Sequence, residues 1–239
     1  MAFNRGMAVK IPPLSEHSLS GCFEFKNKEH EILTEQDMPE IKNNMRERMF
    51  CFDEQLFNEI PYGTNLLGYF QTEKYFKHIS HIIRQDYTIK NEIMTGANAF
   101  IDSHREEGKE LVSLHVRRGD YIYLQAHHPL CTMNYYNIAM EHFGDVKYIV
   151  FSDDIPWCKE NFKGEQFSFS ENASLHDDLA RMTLCDHNIV ANSSFSWWAG
   201  WLNSNSNKKV IAPKKWLGPA EAHNDTKDLI PDDWEAIDA

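Results

Sequence analysis

The sequence predicts an α/β chain whose C-terminal half is organised around a parallel sheet. Three observations carry that expectation. Short apolar runs of strand length occur at Leu111–His115, Tyr148–Phe151, Asn188–Ala191 and Lys209–Ala212. Segments of helical length lie between them, at Met133–Phe143, Ile155–Phe162, Ser174–Cys185 and Phe195–Leu202. Strands alternating with such helices read as βαβ units, whose strands run parallel. A chain of 239 residues that is 42% hydrophobic and 13% aromatic also has ample material for a core.

Taken in order, residues 1–105 have the less regular texture. A helix is expected near Lys42–Phe57 and another near Thr72–Ile83, with Leu66–Phe70 between them short and apolar enough for a strand or a buried turn. Residues 106–239 carry the regular alternation. In Ser174–Cys185 the spacing of Leu175, Leu179 and Met182 puts all three on a core-facing stripe, with Asp178 beside it near the helix start.

The bulk numbers exclude some functions. A formal net charge of -12 argues against nucleic-acid binding, which needs a basic face. No run approaches the roughly 20 apolar residues that span a bilayer, and the first residues lack the apolar core of a signal peptide. Cys22, Cys51, Cys131, Cys158 and Cys185 are scattered, with no close C-x-x-C pair, so reduced thiols and a cytoplasmic location are expected.

Chemistry concentrates at strand ends. Leu114-His115-Val116-Arg117-Arg118-Gly119-Asp120-Tyr121 sets two arginines where a buried strand gives way to a loop. In α/β sheets ligands bind beyond the carboxyl ends of the strands, and arginine offers a permanently charged, flat fork of donors that matches phosphate oxygens. Phe151-Ser152-Asp153-Asp154-Ile155-Pro156-Trp157 marks a second strand-to-helix junction, in which Ser152 or Asp153 can cap the helix. The run Ile189–Ala191 leads into Asn192-Ser193-Ser194-Phe195-Ser196, where a helix opens. A helix N-terminus supplies free N–H groups and a positive dipole end, which suit a phosphate or a ribose. Ordinary capping and surface ion pairing would explain each motif singly. Asp-x-Asp, Gly-x-Gly-x-x-Gly and the P-loop pattern are all absent, and neither His78/His81 nor His127/His128 comes with a set of further metal ligands.

Together, His115–Tyr121, Phe151–Asp154 and Ala191–Trp198 resemble the galactoside α-1,2-fucosyltransferases of glycosyltransferase family 11. Gly68–Phe76 is similar to that family's "GYFQ-x-E-x-YF" segment, Asp178–Cys185 to its "D-L-x-x-M-x-x-C" helix, and Pro231-Asp232-Asp233-Trp234 to its C-terminal ending. The family's usual glycine-rich "GGLGNQMFQ" loop has no counterpart before Pro61. The resemblance implies a GT-B-like architecture: a Rossmann-type donor domain over 106–239 and a reduced or truncated acceptor-side region over 1–105. It implies GDP-L-fucose as donor, a galactoside-containing glycan as acceptor, inversion at the fucose carbon, and neither metal nor other cofactor. Arg118 matches the pyrophosphate arginine, with Arg117 supporting it or making structural ion pairs. Ser193 and Ser194 would hold phosphate from the opposite side, and Asp178 would meet guanine or anchor the binding loop. Within the matching motifs His115, Asp153, Asn192, Phe195 and Ser196 are further substrate-binding candidates. Asp120 is the nearest carboxylate for a catalytic base, although beside two arginines it is better suited to ion pairing. A non-catalytic remnant that binds a GDP-sugar or a glycan is the alternative.

Overall fold

Two parallel strand pairs organise the N-terminal part of the computed structural model, which describes residues 1–13, 18–25 and 30–238. Strand β1 (Val9–Ile11) pairs with β2 (His30–Ile32), and β3 (Asn43–Arg46) with β4 (Thr64–Leu67). Between β3 and β4 runs the short helix α1 (Glu54–Glu59), capped by the Asp53 carboxylate, which accepts the Leu56 N–H at 2.8 Å. Helix α2 (Ser80–Asp86) follows two 3-10 turns. The helix expected over Lys42–Phe57 is therefore mostly strand and loop. Its first residues pair with Thr64–Leu67, a partner beyond the reach of a local pattern. The helix expected from Thr72 starts at Ser80. Leu66–Phe70 divides between β4 and a turn that ends on Phe70, whose φ of 48° is unusual for an aromatic residue. Both turn N–H groups, of Tyr69 and Phe70, donate to Glu47 Oε2 at 2.7 and 2.8 Å.

These elements form one compact unit, Met1–Lys90 with Asn224–Pro231; Asn91–His223 with Asp232–Ala239 form a second. The second begins with α3 (Asn91–His104) and continues β5 (Leu111–Val116), α4 (Met133–Glu141), β6 (Lys147–Ser152), α5 (Ile155–Asn161), β7 (Phe167–Phe169) and α6 (Leu175–Leu184). It is completed by β8 (His187–Ile189), α7 (Ser194–Leu202), β9 (Val210–Pro213) and β10 (Glu235–Ile237). All six strands are parallel, in the order β10-β9-β8-β5-β6-β7.

That order has one consequence for function. From β5 the chain steps outward through β6 and β7, then returns to lay β8 on the other side of β5 and steps outward again. The direction reverses between β5 and β8, and the crevice beyond their carboxyl ends is where open α/β sheets take ligands. Strand β5 is buried along its whole length, as a central parallel strand must be. Val112, Leu114 and Val116 join one core with Tyr135, Tyr136 and Ala139 of α4 and Cys158 of α5. Leu111, Ser113 and His115 alternate onto the other face. There Ser113 Oγ accepts from the buried Asn188 amide at 2.6 Å. Leu179 and Met182 are buried as expected, but Leu175 is 70% exposed: it opens α6, outside the packed stripe. The five cysteines are free thiols, four buried and Cys131 half-buried. Among the described residues no helix is long and apolar enough to cross a membrane.

Candidate active site

The loop leaving β5 is held by acidic residues that follow β6. Arg117 Nη1 donates to Asp153 Oδ2 at 2.6 Å, and its Nη2 to Asp120. Its guanidinium also lies 5.1 Å from the Tyr121 ring. Asp153 Oδ1 accepts the backbone N–H of Arg118 at 2.9 Å, so one carboxylate fixes both arginines. The 3-10 turn that follows must start on glycine, because a Cβ at Gly119 would sit 2.5 Å from Asp153 Oδ2.

Arg118 is held differently. Its Nε donates to Asp154 Oδ2 at 2.9 Å, and its guanidinium carbon lies 4.0 Å from the centre of the Trp157 ring. Neither terminal nitrogen, Nη1 nor Nη2, has a hydrogen-bond partner among the described residues. The side chain is 19% exposed, so this fork is a half-buried cation with its donors unengaged. Asp154 is also the cap of α5, accepting the Trp157 N–H at 3.2 Å. The capping expected from Ser152 or Asp153 thus falls to Asp154. Ser152 Oγ instead accepts the Asp154 N–H, and Asp153 is engaged by the arginines.

Across the crevice, α7 opens at Ser194, which is exposed in its first turn, after Ser193, whose side chain makes no capping bond. Ser196 turns its hydroxyl back to the carbonyls of Ser193 and Ala191 at 3.3 and 3.4 Å. Asn192 is buried; its amide nitrogen donates to the carbonyls of Pro129 and Trp216, and its oxygen accepts from Cys131 Sγ. These bonds engage the Asn192 side chain within the protein and set the start of α7. His115, on the α7 face of β5, meets the half-buried Phe195 ring at 5.6 Å. Burial, with a smaller contribution from Arg117, pushes its pKa down to about 3. It is a neutral imidazole whose Nδ1 has no partner.

Asp178 belongs to a separate cluster after β7. Ser170 Oγ donates to it at 2.6 Å and accepts from Arg181 at 2.7 Å, while Arg181 covers the Phe100 ring at 4.0 Å. Burial raises the Asp178 pKa to about 6, against the opposing pull of Ser170 and Arg181. The structure thus gathers Arg117, Arg118, Asp120 and Asp153 into one network, pairs His115 with Phe195, and keeps Asp178 apart. Sequence reasoning gave no role to Asp154, Trp157 and Tyr121 within their motifs and did not single out Ser170 or Arg181. The aspartate and tryptophan three residues apart at a helix start were the available signal for the first two. Among the described residues no group of three or more histidine, cysteine or acidic side chains is placed to hold a metal ion.

The fold is GT-B-like. It matches the crystal structure of fucosyltransferase NodZ from Bradyrhizobium with a TM-score of 0.51 and 14% identity, over 83% of this chain and 84% of that one. In sequence, the chain is 34% identical to an alpha-1,2-colitosyltransferase of Escherichia coli, over 74% of this chain and 63% of that protein. It is 27% identical to galactoside alpha-(1,2)-fucosyltransferase 2 of Oryctolagus cuniculus, over 60% of this chain and 44% of that protein. The chain therefore spans less than two thirds of the length of these relatives. The model of glycosyl transferase family 11 matches residues 5–238, and the chain belongs to that family.

Proposed function

We propose that this chain transfers L-fucose from GDP-L-fucose, with inversion and without a metal or other cofactor, to the 2-hydroxyl of a galactoside-containing glycan. One observation carries the reading: Arg118 offers two unengaged, half-buried donors on the loop that leaves β5, the strand at which the sheet order reverses. Transfer leaves GDP with growing negative charge, and fixed cations and N–H groups aimed at that charge lower the barrier. Arg118 fills this role, with Ser193, Ser194 and the α7 N-terminus as the second hand. Arg117 and Asp153 hold the loop in shape. His115 supports Phe195, Asn192 and Ser196 set the helix entrance, and Asp178 meets the guanine or, through Ser170 and Arg181, anchors the loop that does. Asp120, 56% exposed, is the carboxylate assigned to the acceptor proton once its ion pair with Arg117 opens.

A colitosyl donor is the second reading, favoured by the name of the 34% identical relative. Incubation with GDP-L-fucose, GDP-colitose and GDP-mannose against a lactose-type acceptor, with NMR analysis of the product, tests both. An α-1,2-linked fucoside is the expected product. A colitoside formed in preference selects the second reading, and donor binding without transfer to any acceptor overturns both.

A further inference from the structure

We infer that Trp157, with Asp154, is a positioning residue that aims the Arg118 fork at a nucleoside diphosphate; this rests on the donor reading of Arg118. A free arginine carries about 2 kcal/mol of rotamer entropy, which a phosphate-binding arginine loses on engagement. Here two contacts restrict it beforehand. The Asp154 carboxylate holds Nε at 2.9 Å, and the indole lies under the guanidinium at 4.0 Å. Rotation about the last side-chain bonds would break one contact or the other, so Nη1 and Nη2 are held on the edge of the guanidinium opposite Nε.

Both contacts come from one turn of helix. Asp154 Oδ1 accepts the Trp157 N–H at 3.2 Å, which leaves Oδ2 for Arg118 and sets the indole at a fixed offset from the carboxylate. Ser152 Oγ accepts the Asp154 N–H at 2.9 Å and fixes the cap residue in turn. Tryptophan is the best aromatic for this purpose, because its face attracts a cation most strongly. Arg117 provides the contrast: its ring partner Tyr121 is 5.1 Å away and both of its terminal nitrogens are already bound to aspartates.

Calorimetric titration with GDP and with guanosine, which lacks the phosphates, separates positioning from general structure. Trp157→Leu is expected to weaken GDP binding about tenfold and Trp157→Phe about threefold, the spread of a partly desolvated cation–π contact, with guanosine binding unchanged. Asp154→Ser keeps a good helix cap but removes the Nε partner, and should also weaken GDP binding about tenfold. In an Arg118→Ala background neither change should matter further. Wild-type GDP affinity in folded Trp157→Phe and Asp154→Ser, alongside a loss in Arg118→Ala, overturns the inference and leaves the donor reading standing. Equal losses for GDP and guanosine would reduce Trp157 to a structural role. Retention of GDP affinity by Arg118→Ala would instead bring down the donor reading itself.

Discussion

Tyr121 donates its hydroxyl to the backbone carbonyl of Asn192 at 3.2 Å, joining the loop after β5 to the entrance of α7 across the sheet's reversal point. The same ring stacks on His128, with centroids 4.8 Å apart and an interplanar angle of 17°. The two proposed hands on the diphosphate are thus bridged by protein, and their separation is set before any ligand arrives.

Tyr121→Phe removes that bridge while keeping the stacking. A neutral hydrogen bond of this kind contributes about 1 kcal/mol, so urea unfolding should show a loss of that order. GDP affinity should fall severalfold because the two sides of the crevice are no longer tied. Calorimetry on the variant checks it, and an unchanged affinity would mean that the bridge does not set the site.

Arg118→Ala should leave folding nearly intact and weaken GDP binding by about one to two orders of magnitude, the range for a hydrogen bond to a charged group. Arg118→Lys should recover only part, because lysine restores the charge without the planar fork. Arg117→Ala should behave in the opposite sense, chiefly lowering thermal stability, since it leaves Asp120 and Asp153 without their partner. Binding isotherms and melting curves on the three variants distinguish the roles.

Asp178 has a folded pKa raised to about 6 by burial. A carboxyl raised above its unfolded value stabilises the fold at pH below that unfolded value, and the contribution disappears as pH rises through about 6. Asp178→Asn should therefore be more stable than wild type at pH 8, by about 1–3 kcal/mol from a shift of this size, and should match it near pH 4. His115 acts in the other direction. With its pKa depressed to about 3, its neutral form supports the fold above the ordinary histidine range, and that support declines as pH falls towards 3. Denaturant titrations across pH for wild type and Asp178→Asn report both slopes.

GDP binding and transfer should be unchanged in excess EDTA, because the proposed stabilisers of the diphosphate are Arg118 and the N–H groups of α7. Loss on chelation with recovery on adding manganese or magnesium would assign that role to a cation.

The sheet was readable where its strands are buried. The runs that became β5, β6, β8 and β9 stand out as apolar segments. Strands β7 and β10 have three residues each and are only partly buried, so no pattern announces them. Helix α3 went unread as well, although it packs on α6 through Phe100 and Arg181. In the first unit β3 looked helical, since what makes it a strand is pairing with Thr64–Leu67 rather than its own composition. The site divides in the same way. Placing Arg117 and Arg118 at a strand end needed only the local sequence. Which of them keeps unengaged donors depends on the nearby Asp120 together with Asp153 and Asp154, about 36 positions away, and spacing along the chain does not say which pairs form.

The carboxylates that shape the two arginines also determine how a nucleotide approaches. Arg117 and Arg118 contribute +2, and Asp120, Asp153 and Asp154 contribute −3, so this cluster sums to −1 within a chain of net charge −12. At low salt, where the screening length reaches about 30 Å at 0.01 M, an anionic nucleotide is repelled rather than steered on its approach. Attraction begins only when phosphate oxygens reach the two open nitrogens of Arg118. Capture is then a short-range, orientation-dependent event, and added salt should hasten association by screening the outer field, the reverse of an enzyme that draws its anion in from afar.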